Sequence, residues 1–596
     1  MSWVEVANFD RLYGHSSRDL GMDEAYLRVL SSAPRPLTLL ALSQDCHQCQ
    51  YTSFAAVPNH TEQVLKVDTK FATTFKLASI PFQERDPFKG DGSVVCDVDP
   101  LGSATRMGEF GFYELTVNDT VNGTVSCQLR TLVEPVNTYL SLLLIVLIVA
   151  FTIIAWKVLR CAPKLLGKRC LPVDSGRELS SGPAPDDEKG ATAKKRLKSL
   201  DTFRGISIIV MVFVNYGGGG YWFLDHATWN GLQIADLVFP WFMWIMGVCI
   251  PISVRSTLRS GASLTAAILN VIRRAVILFG LGLMLNTAGR GADFGAIRIF
   301  GVLQRFGVTY FVVTTFAIIL APKNKYQTAK KEGEMVKQDF WDAVVDVTSL
   351  KFQWAVMLVV LAAHCLITFL LPVPGCPRGY LGPGGIELGG QFKGCAGGAT
   401  GYIDRVVLGV NHIYQNPTSN HVYHAGPFDP EGILGCLLSV FQVFLGVQAG
   451  AVLLFHSSHR GRLVRWLSWS ALTGIVGAVL CLASKDDGFI PLNKNLWSLS
   501  FVMVTSCFAF FLLSACYVLV DIKGWWSGAP FFYPGMNATI MYVGHSLAYD
   551  LFPWHWKFPG LPMNTHFINT IEALWGTGLW VLIAFMLFRK KFFLSI

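Results

Sequence analysis

The sequence predicts a polytopic α-helical membrane protein of about eleven transmembrane helices, with a small β-rich domain at its N-terminus. Three observations predict it. Hydrophobic residues make up 52% of the 596 and charged residues only 15%, against roughly a quarter charged in an average soluble domain. The apolar residues gather in runs of about 20, the length that crosses a bilayer as a helix. Those runs carry no alternating strand pattern of the kind a barrel requires. The 17 Trp, 17 Tyr and 42 Phe exclude disordered, collagen-like and coiled-coil chains. The formal charge of +9 belongs to loops on one side of the bilayer rather than to a nucleic-acid surface, and no nucleic-acid partner is expected.

The apolar runs lie at 136–159, 202–218, 232–254, 264–286, 297–321, 352–371, 431–455, 466–484, 496–519, 533–551 and 569–588. Basic residues set their direction. Arg160, Lys164, Lys168, Arg169 and Lys194–Lys198 follow the first run, Lys323–Lys337 the fifth, and Arg460, Arg462 and Arg465 the seventh; Arg589-Lys590-Lys591 closes the chain. These segments alternate with basic-poor loops at 219–231, 287–296 and 485–495. The N-terminal domain is therefore expected to be lumenal or extracellular and the C-terminus cytosolic.

Residues 1–135 are expected to form a lumenal β-sandwich-like domain, from alternating runs such as Phe110–Val117. Sequons at Asn59, Asn118 and Asn122 all fall on that side. Cys46, Cys49, Cys96 and Cys127 are an even set in an oxidising compartment, which suits two disulfides; a zinc site at Cys46-x-x-Cys49 is the rival reading, and no metal is expected. Met1–Asp10 lacks a basic n-region followed by an apolar h-region, so a leader encoded upstream of Met1 is expected. Residues 136–160 are the first transmembrane helix. Residues 161–200 read as a flexible cytosolic linker, rich in Pro, Gly, Ser and mixed charge between Val173 and Lys189. Residues 201–596 read as the catalytic bundle, with a Gly-rich lumenal loop at 372–428 holding Cys376 and Cys395, a candidate pair.

Ionisable groups within the membrane are costly and so mark function, unless they snorkel from a helix end. The densest cluster runs from Asn215-Tyr216 through Gly217–Gly220 to Asp225-His226 and on to Asp236. Four glycines let backbone approach a ligand closely. His226 is the only histidine between residues 61 and 363, and a histidine oriented by a carboxylate is a nucleophile or general base. Asp236 is expected to orient the histidine or to bind a substrate ammonium, and Asn215 to serve as an oxyanion donor. Asp429 and Glu431 read as an anionic wall for substrate or as helix-capping residues. Asn493, Lys494 and Trp497 suit a sugar, although Trp497 also fits an interfacial belt. Arg204, Arg273, Arg274 and Lys523 suit phosphates, although the rule placing positive charge in the cytosol accounts for them without a ligand. Arg305 stands roughly 12 Å into its span, too deep to snorkel easily, and is a further candidate for binding the donor's phosphates. Asn537 and His545 line a pore or hydrogen-bond between helices.

These motifs together resemble the heparan-α-glucosaminide N-acetyltransferases. The resemblance is carried by Asp201-Thr202-Phe203-Arg204-Gly205, Asn215-Tyr216-Gly217-Gly218-Gly219, His226-Ala227-Thr228-Trp229-Asn230-Gly231 and Ala235–Trp241. Gly301–Arg305, Leu371–Pro377, Asp429–Gly432, Pro491–Ser498 and Phe531–Asn537 extend it, from about residue 199 to the C-terminus. It implies a lysosomal membrane enzyme that moves acetyl from cytosolic acetyl-CoA to the terminal α-D-glucosamine of heparan sulfate in the lumen. It further implies a histidine of the active site at His226, a homodimer, and cleavage into two associated chains. Both donor and acceptor are polyanions that cannot cross the bilayer, so a polar conduit for the pantetheine arm is expected. A multi-pass transporter of a sugar or acyl compound is the rival class; it does not account for one histidine set among glycines and carboxylates.

Overall fold

The computed structural model describes residues 11–12, 14–79, 94–98, 107–119, 125–165, 197–288, 293–321, 344–556 and 565–594. Asn122, residues 166–196 of the linker and the lysine-rich run after the fifth span lie outside them.

After a short hairpin (β1, Arg11–Leu12; β2, His15–Ser16), eight strands build two sheets. They are β3 (Glu24–Ser31), β4 (Leu37–Ser43), β5 (Thr52–Val57), β6 (Glu62–Asp68), β7 (Thr73–Ser79), β8 (Val94–Asp97), β9 (Phe112–Asp119) and β10 (Val125–Val133). The sheet orders are β10-β9-β3-β6 and β5-β4-β7-β8. Among the described residues only the β3–β9 pairing is parallel. Ala25, Leu27 and Val29 alternate inward along β3 and meet Leu37 and Leu39 of β4, Leu77 of β7 and Leu115 of β9 in one buried core. The Cys96–Cys127 disulfide joins β8 to β10, tying one sheet to the other. Asn59 and Asn118 are exposed.

The bundle comprises α1 (Thr138–Leu165), α2 (Lys198–Asn215), α3 (Ile234–Arg259), α4 (Leu264–Thr287), α5 (Val302–Ile319) and α6 (Lys351–Leu370). After the short α7 (Gly398–Val407) come α8 (Ile433–Phe455), α9 (His459–Cys481), α10 (Leu499–Cys516), α11 (Ala538–Leu547) and α12 (His566–Arg589). Its centre is α8, buried along almost its whole length against α3. Small residues make that contact possible: a Cβ on Gly247 would meet the Val443 carbonyl, and one on Gly446 would meet the Trp244 carbonyl. Gly205 of α2 and Gly535 give the same close approach between α2 and the short helix Phe532–Met536.

Eight described helices are long and apolar enough to cross a membrane, not the expected eleven: α3, α4, α5, α6, α8, α9, α12, and α10 with its extension to Ile522. The three expected runs outside that count have separate causes. Helix α2 carries Lys198, Asp201 and Arg204 in its first two turns. The first run lies on α1, a helix of 28 residues whose side chains are described only in part, so the comparison covers Thr138–Phe151 and leaves that span untested. The run 533–551 breaks into helices of 5 and 10 residues at Asn537, whose φ of −125° and ψ of 37° leave the helical region.

The β-domain sits on one end of the bundle through polar contacts. Lys70 pairs with Asp225 at 2.8 Å, Asp45 with Lys485 at 2.7 Å, and Asp23 with His566 at 3.0 Å. The turn closed by Cys46–Cys49 lies on the long loop between α6 and α8: Leu388 N–H donates to the Gln48 carbonyl at 2.9 Å, and His47 N–H to the Tyr423 hydroxyl at 3.0 Å. That loop is itself closed by Cys376–Cys395, with Cα atoms 5.8 Å apart.

Candidate active site

His226 lies beneath the β-domain, in the loop between α2 and α3. The glycines before it, Gly217 to Gly220, all have positive φ, from 54° to 95°, a path that only glycine follows without strain. Their close approach is to protein, not to the ligand the sequence suggested. A Cβ on Gly219 would meet Thr570 of α12, and one on Gly220 would meet Met22 of the β-domain. The glycines thus dock α2 against α12 and the β-domain, and so set where the His226 loop begins.

Asp236 anchors that loop. It is the third residue of α3, and its Oδ2 accepts N–H bonds from Gln233 at 3.0 Å and Ala227 at 3.1 Å. A carboxylate at a helix N-terminus is favoured by the helix dipole and the free N–H groups there. Its Oδ1 lies 2.8 Å from His226 Nδ1. A proton on Nδ1 satisfies that carboxylate, and that tautomer carries the lone pair on Nε2. The Asp236 side chain is 1% exposed and that of His226 32%, so the carboxylate is fixed and the imidazole reachable. Asp225 Oδ1 also accepts the His226 N–H at 2.7 Å.

Lys494 comes to the same ring from the loop before α10. Its Nζ is 2.9 Å from Nδ1, 3.3 Å from Nε2 and 3.5 Å from Asp236 Oδ1. Asn493, fully buried, positions it: Nδ2 donates to Asn230 Oδ1 at 3.0 Å, and Oδ1 caps Leu496 N–H at 2.8 Å. Asn230 in turn donates to Asp486 at 2.9 Å. Asn493 therefore ties the Lys494 loop to the His226 loop rather than facing a substrate. Trp497 is also fully buried, packed on Phe239 and Phe501, so it is no sugar platform.

Asp429 and Glu431 hold an arginine rather than an open site. Arg298, just before α5, clasps Asp429 with Nε and Nη2 at 2.9 and 2.6 Å and reaches Glu431 at 2.5 Å. Burial works against charge on Glu431, but Arg298, Arg305 and Lys494 hold its carboxyl below the usual range. Arg305 is fully buried, donates to the Pro430 and Gly432 carbonyls at 3.0 and 3.1 Å, and lies over the Trp497 ring. It braces the acidic turn and lines none of the cavities described below.

Asn215 is bonded to His545 Nε2 at 2.9 Å, not to His226. Asn537 Nδ2 donates to the Phe592 carbonyl, pinning the C-terminal segment to the helix break. Nearer the far end of the bundle a cavity of about 420 Å³ runs along α3 from Phe239 to Ser253, roughly 21 Å of helix axis. Its walls are mostly apolar, with Arg204, Arg274 and Tyr542 among the polar exceptions. Its inner end lies one turn below Asp236, but it shares no lining residue with the cavities at His226; the continuous polar conduit expected from the sequence is an apolar chamber stopped at Phe239. Arg273 lines an adjoining cavity of about 480 Å³, and Lys523 is exposed beside Trp525. The sequence missed the contributions of the β-domain, Lys70 and Asp45 above all, because nothing local marks a contact with a distant loop.

The described fold is a multi-pass bundle of apolar helices bearing a β-domain, with an imidazole hydrogen-bonded to a buried carboxylate beneath that domain. Similarity to known proteins makes the class specific. A family model described as "Heparan-alpha-glucosaminide N-acetyltransferase, catalytic" matches residues 196–326. A human protein named heparan-alpha-glucosaminide N-acetyltransferase is 38% identical over 611 residues, an alignment covering 97% of this chain and 89% of the relative. Its mouse counterpart is 37% identical over 609 residues with the same coverage. The chain belongs to the heparan-alpha-glucosaminide N-acetyltransferase family.

Proposed function

We propose that the protein transfers acetyl from cytosolic acetyl-CoA, its co-substrate, to the amino group of the terminal α-D-glucosamine of heparan sulfate, across the lysosomal membrane. The β-domain then faces the lumen and Arg589–Lys591 the cytosol, in keeping with the distribution of basic loops. The observation that carries the reading is the Asp236–His226 pair, with a chamber ending one helical turn beneath it.

The chamber suits the donor. Apolar walls accept a slender pantetheine arm, and Arg274 offers a guanidinium group to phosphates, while Arg204 in the same wall is bonded to Asp201 and the Gly535 carbonyl. The side chain of Phe239, packed between Phe306 and Trp497, must swing aside for the thioester to reach the ring. His226 Nε2 then attacks the thioester carbonyl, expelling CoA thiolate, and the glucosamine amine displaces imidazole from the acetyl group. In a ternary complex the same Nε2 instead takes the amine proton during direct attack. Acetyl-enzyme formed from acetyl-CoA alone marks the first route. Asp236 holds the tautomer and stabilises positive charge on the ring in either case.

The test is acetyl-CoA-dependent acetylation of glucosamine by the wild type and by His226→Ala. Loss of turnover in the folded variant supports the reading. Movement of sugar across vesicles without acetylation returns the protein to the transporter class.

A further inference from the structure

A carbonyl attacked beside His226 develops negative charge on its oxygen, and a donor already in place for that charge is usually the largest single source of rate. Asn215, the donor expected from the sequence, is held by His545 at 2.9 Å. The N–H groups of Ala227 and Gln233 are spent on Asp236. Two cavities, of about 450 and 850 Å³, open at His226 beneath the β-domain. Their lysines are taken as well: Lys70 is engaged by Asp225 at 2.8 Å and Lys485 by Asp45 at 2.7 Å. The cation that reaches the ring itself is Lys494.

The placement of that lysine separates two roles. A lysine serving only to neutralise a buried Asp236 would set its ammonium against the carboxylate. Nζ instead lies nearer to both ring nitrogens, at 2.9 Å from Nδ1 and 3.3 Å from Nε2, than to Asp236 Oδ1 at 3.5 Å. With the Nδ1 proton given to Asp236, Nε2 is the acceptor of the ring, and the ammonium donates to it. Attack through Nε2 bonds that nitrogen to the thioester carbon and sets the carbonyl oxygen one bond further on, within hydrogen-bond reach of Nζ. The direction of approach agrees. The Lys494 side chain is 15% exposed and lines neither cavity, so it meets the ring from the protein side. Three residues on, Trp497 packs on Phe239 with ring centroids 5.0 Å apart, and Phe239 closes the donor chamber. The Trp497 N–H also donates to the Lys494 carbonyl at 3.0 Å, which fixes the turn that carries the ammonium.

We propose that Lys494 is a catalytic residue: its ammonium passes from the Nε2 lone pair to the thioester carbonyl oxygen and holds the oxyanion that forms there. The proposal rests on His226 being the acetyl-transfer centre. Formation of the Nε2–carbon bond pushes the carbonyl π pair onto oxygen, and collapse of that oxyanion expels CoA thiolate. In direct attack the amine nitrogen forms the bond and gives its proton to Nε2, and the same oxyanion collapses with loss of the same thiolate. Lys494 keeps its proton in both routes.

The test compares the full chain as wild type, Lys494→Met, Lys494→Arg and His226→Ala, with acetyl-CoA and glucosamine. Lys494→Met keeps most of the side chain without its charge. Its kcat is expected to fall about a hundredfold, the usual loss for one oxyanion donor, with both KM values and the thermal midpoint nearly unchanged. Lys494→Arg keeps the charge, and its kcat is expected to lie between those of Lys494→Met and the wild type. If Lys494→Met does not give monodisperse protein, Lys494→Gln takes its place with the same expected order. A raised KM with kcat retained makes Lys494 a binding group. A thermal midpoint that falls in step with activity makes it a counterion of Asp236. Acetyl found on Nζ by mass spectrometry of the wild type during turnover makes it a nucleophile. Each of these, like full kcat in Lys494→Met, overturns the proposal and leaves acetyl transfer at His226 standing. Turnover retained by His226→Ala overturns the underlying reading and this one with it.

Discussion

Asp236 divides its two oxygens between structure and chemistry: Oδ2 caps α3 and holds the Ala227 N–H, while Oδ1 takes the His226 ring at 2.8 Å. The orientation of the imidazole is thus set by the start of a membrane helix rather than by a mobile loop. Asp236→Asn separates the two duties. Asparagine still caps a helix well, but its neutral amide neither stabilises positive charge on the ring nor enforces the tautomer. Turnover is expected to fall by about two or more orders of magnitude, with the thermal midpoint in detergent nearly unchanged. Full kcat in Asp236→Asn removes the role given to the carboxylate.

Arg274 faces the apolar chamber with its guanidinium over the Tyr310 ring, 4.6 Å from the centroid. Arg274→Ala is expected to raise the KM for acetyl-CoA by about tenfold, the loss of one good phosphate contact, while kcat at saturating donor holds. A change confined to the glycan KM contradicts donor binding in this chamber.

Arg298 neutralises two buried carboxylates, Asp429 and Glu431. Arg298→Gln strands both at a cost of about 3–5 kcal/mol. The expected result is loss of monodisperse protein on size-exclusion chromatography. Combining it with Asp429→Asn and Glu431→Gln removes the stranded charge, and recovery of folded protein in the triple variant checks the cause.

Glu109 of the β-domain is 4% exposed and faces His566, Asp23 and Tyr221. Burial raises its pKa from 4.5 to about 7, with the His566 charge acting the other way. The folded value exceeds the unfolded one, so its contribution to stability is complete below about pH 4.5 and is lost as pH rises through about 7. That difference amounts to about 3 kcal/mol. Docking of the β-domain should therefore loosen toward neutral pH, read by limited proteolysis of the intact protein between pH 4.5 and 8. Glu109→Gln should flatten the profile; a profile as steep as wild type assigns the effect to another group.

What the sequence by itself determined follows from local rules. Eight membrane helices are legible because hydrocarbon demands about 20 apolar residues wherever a helix crosses. The β-domain shows in its alternation, and Cys376 and Cys395 in their isolation. His226 with Asp236 is legible because the histidine lies in the short polar segment between two apolar runs and the carboxylate only ten residues on, at the start of the second run. Tertiary structure alone decided the rest. Lys494 reaches His226 across 268 residues, and Arg298 reaches Asp429 across 131. Asp429, Glu431, Asn493, Trp497 and Arg305 had the residue types of a substrate or donor site, yet each is spent inside the protein. A polar group buried in a bundle must find a partner, and that partner is chosen by helix packing, which brings together positions far apart in the chain.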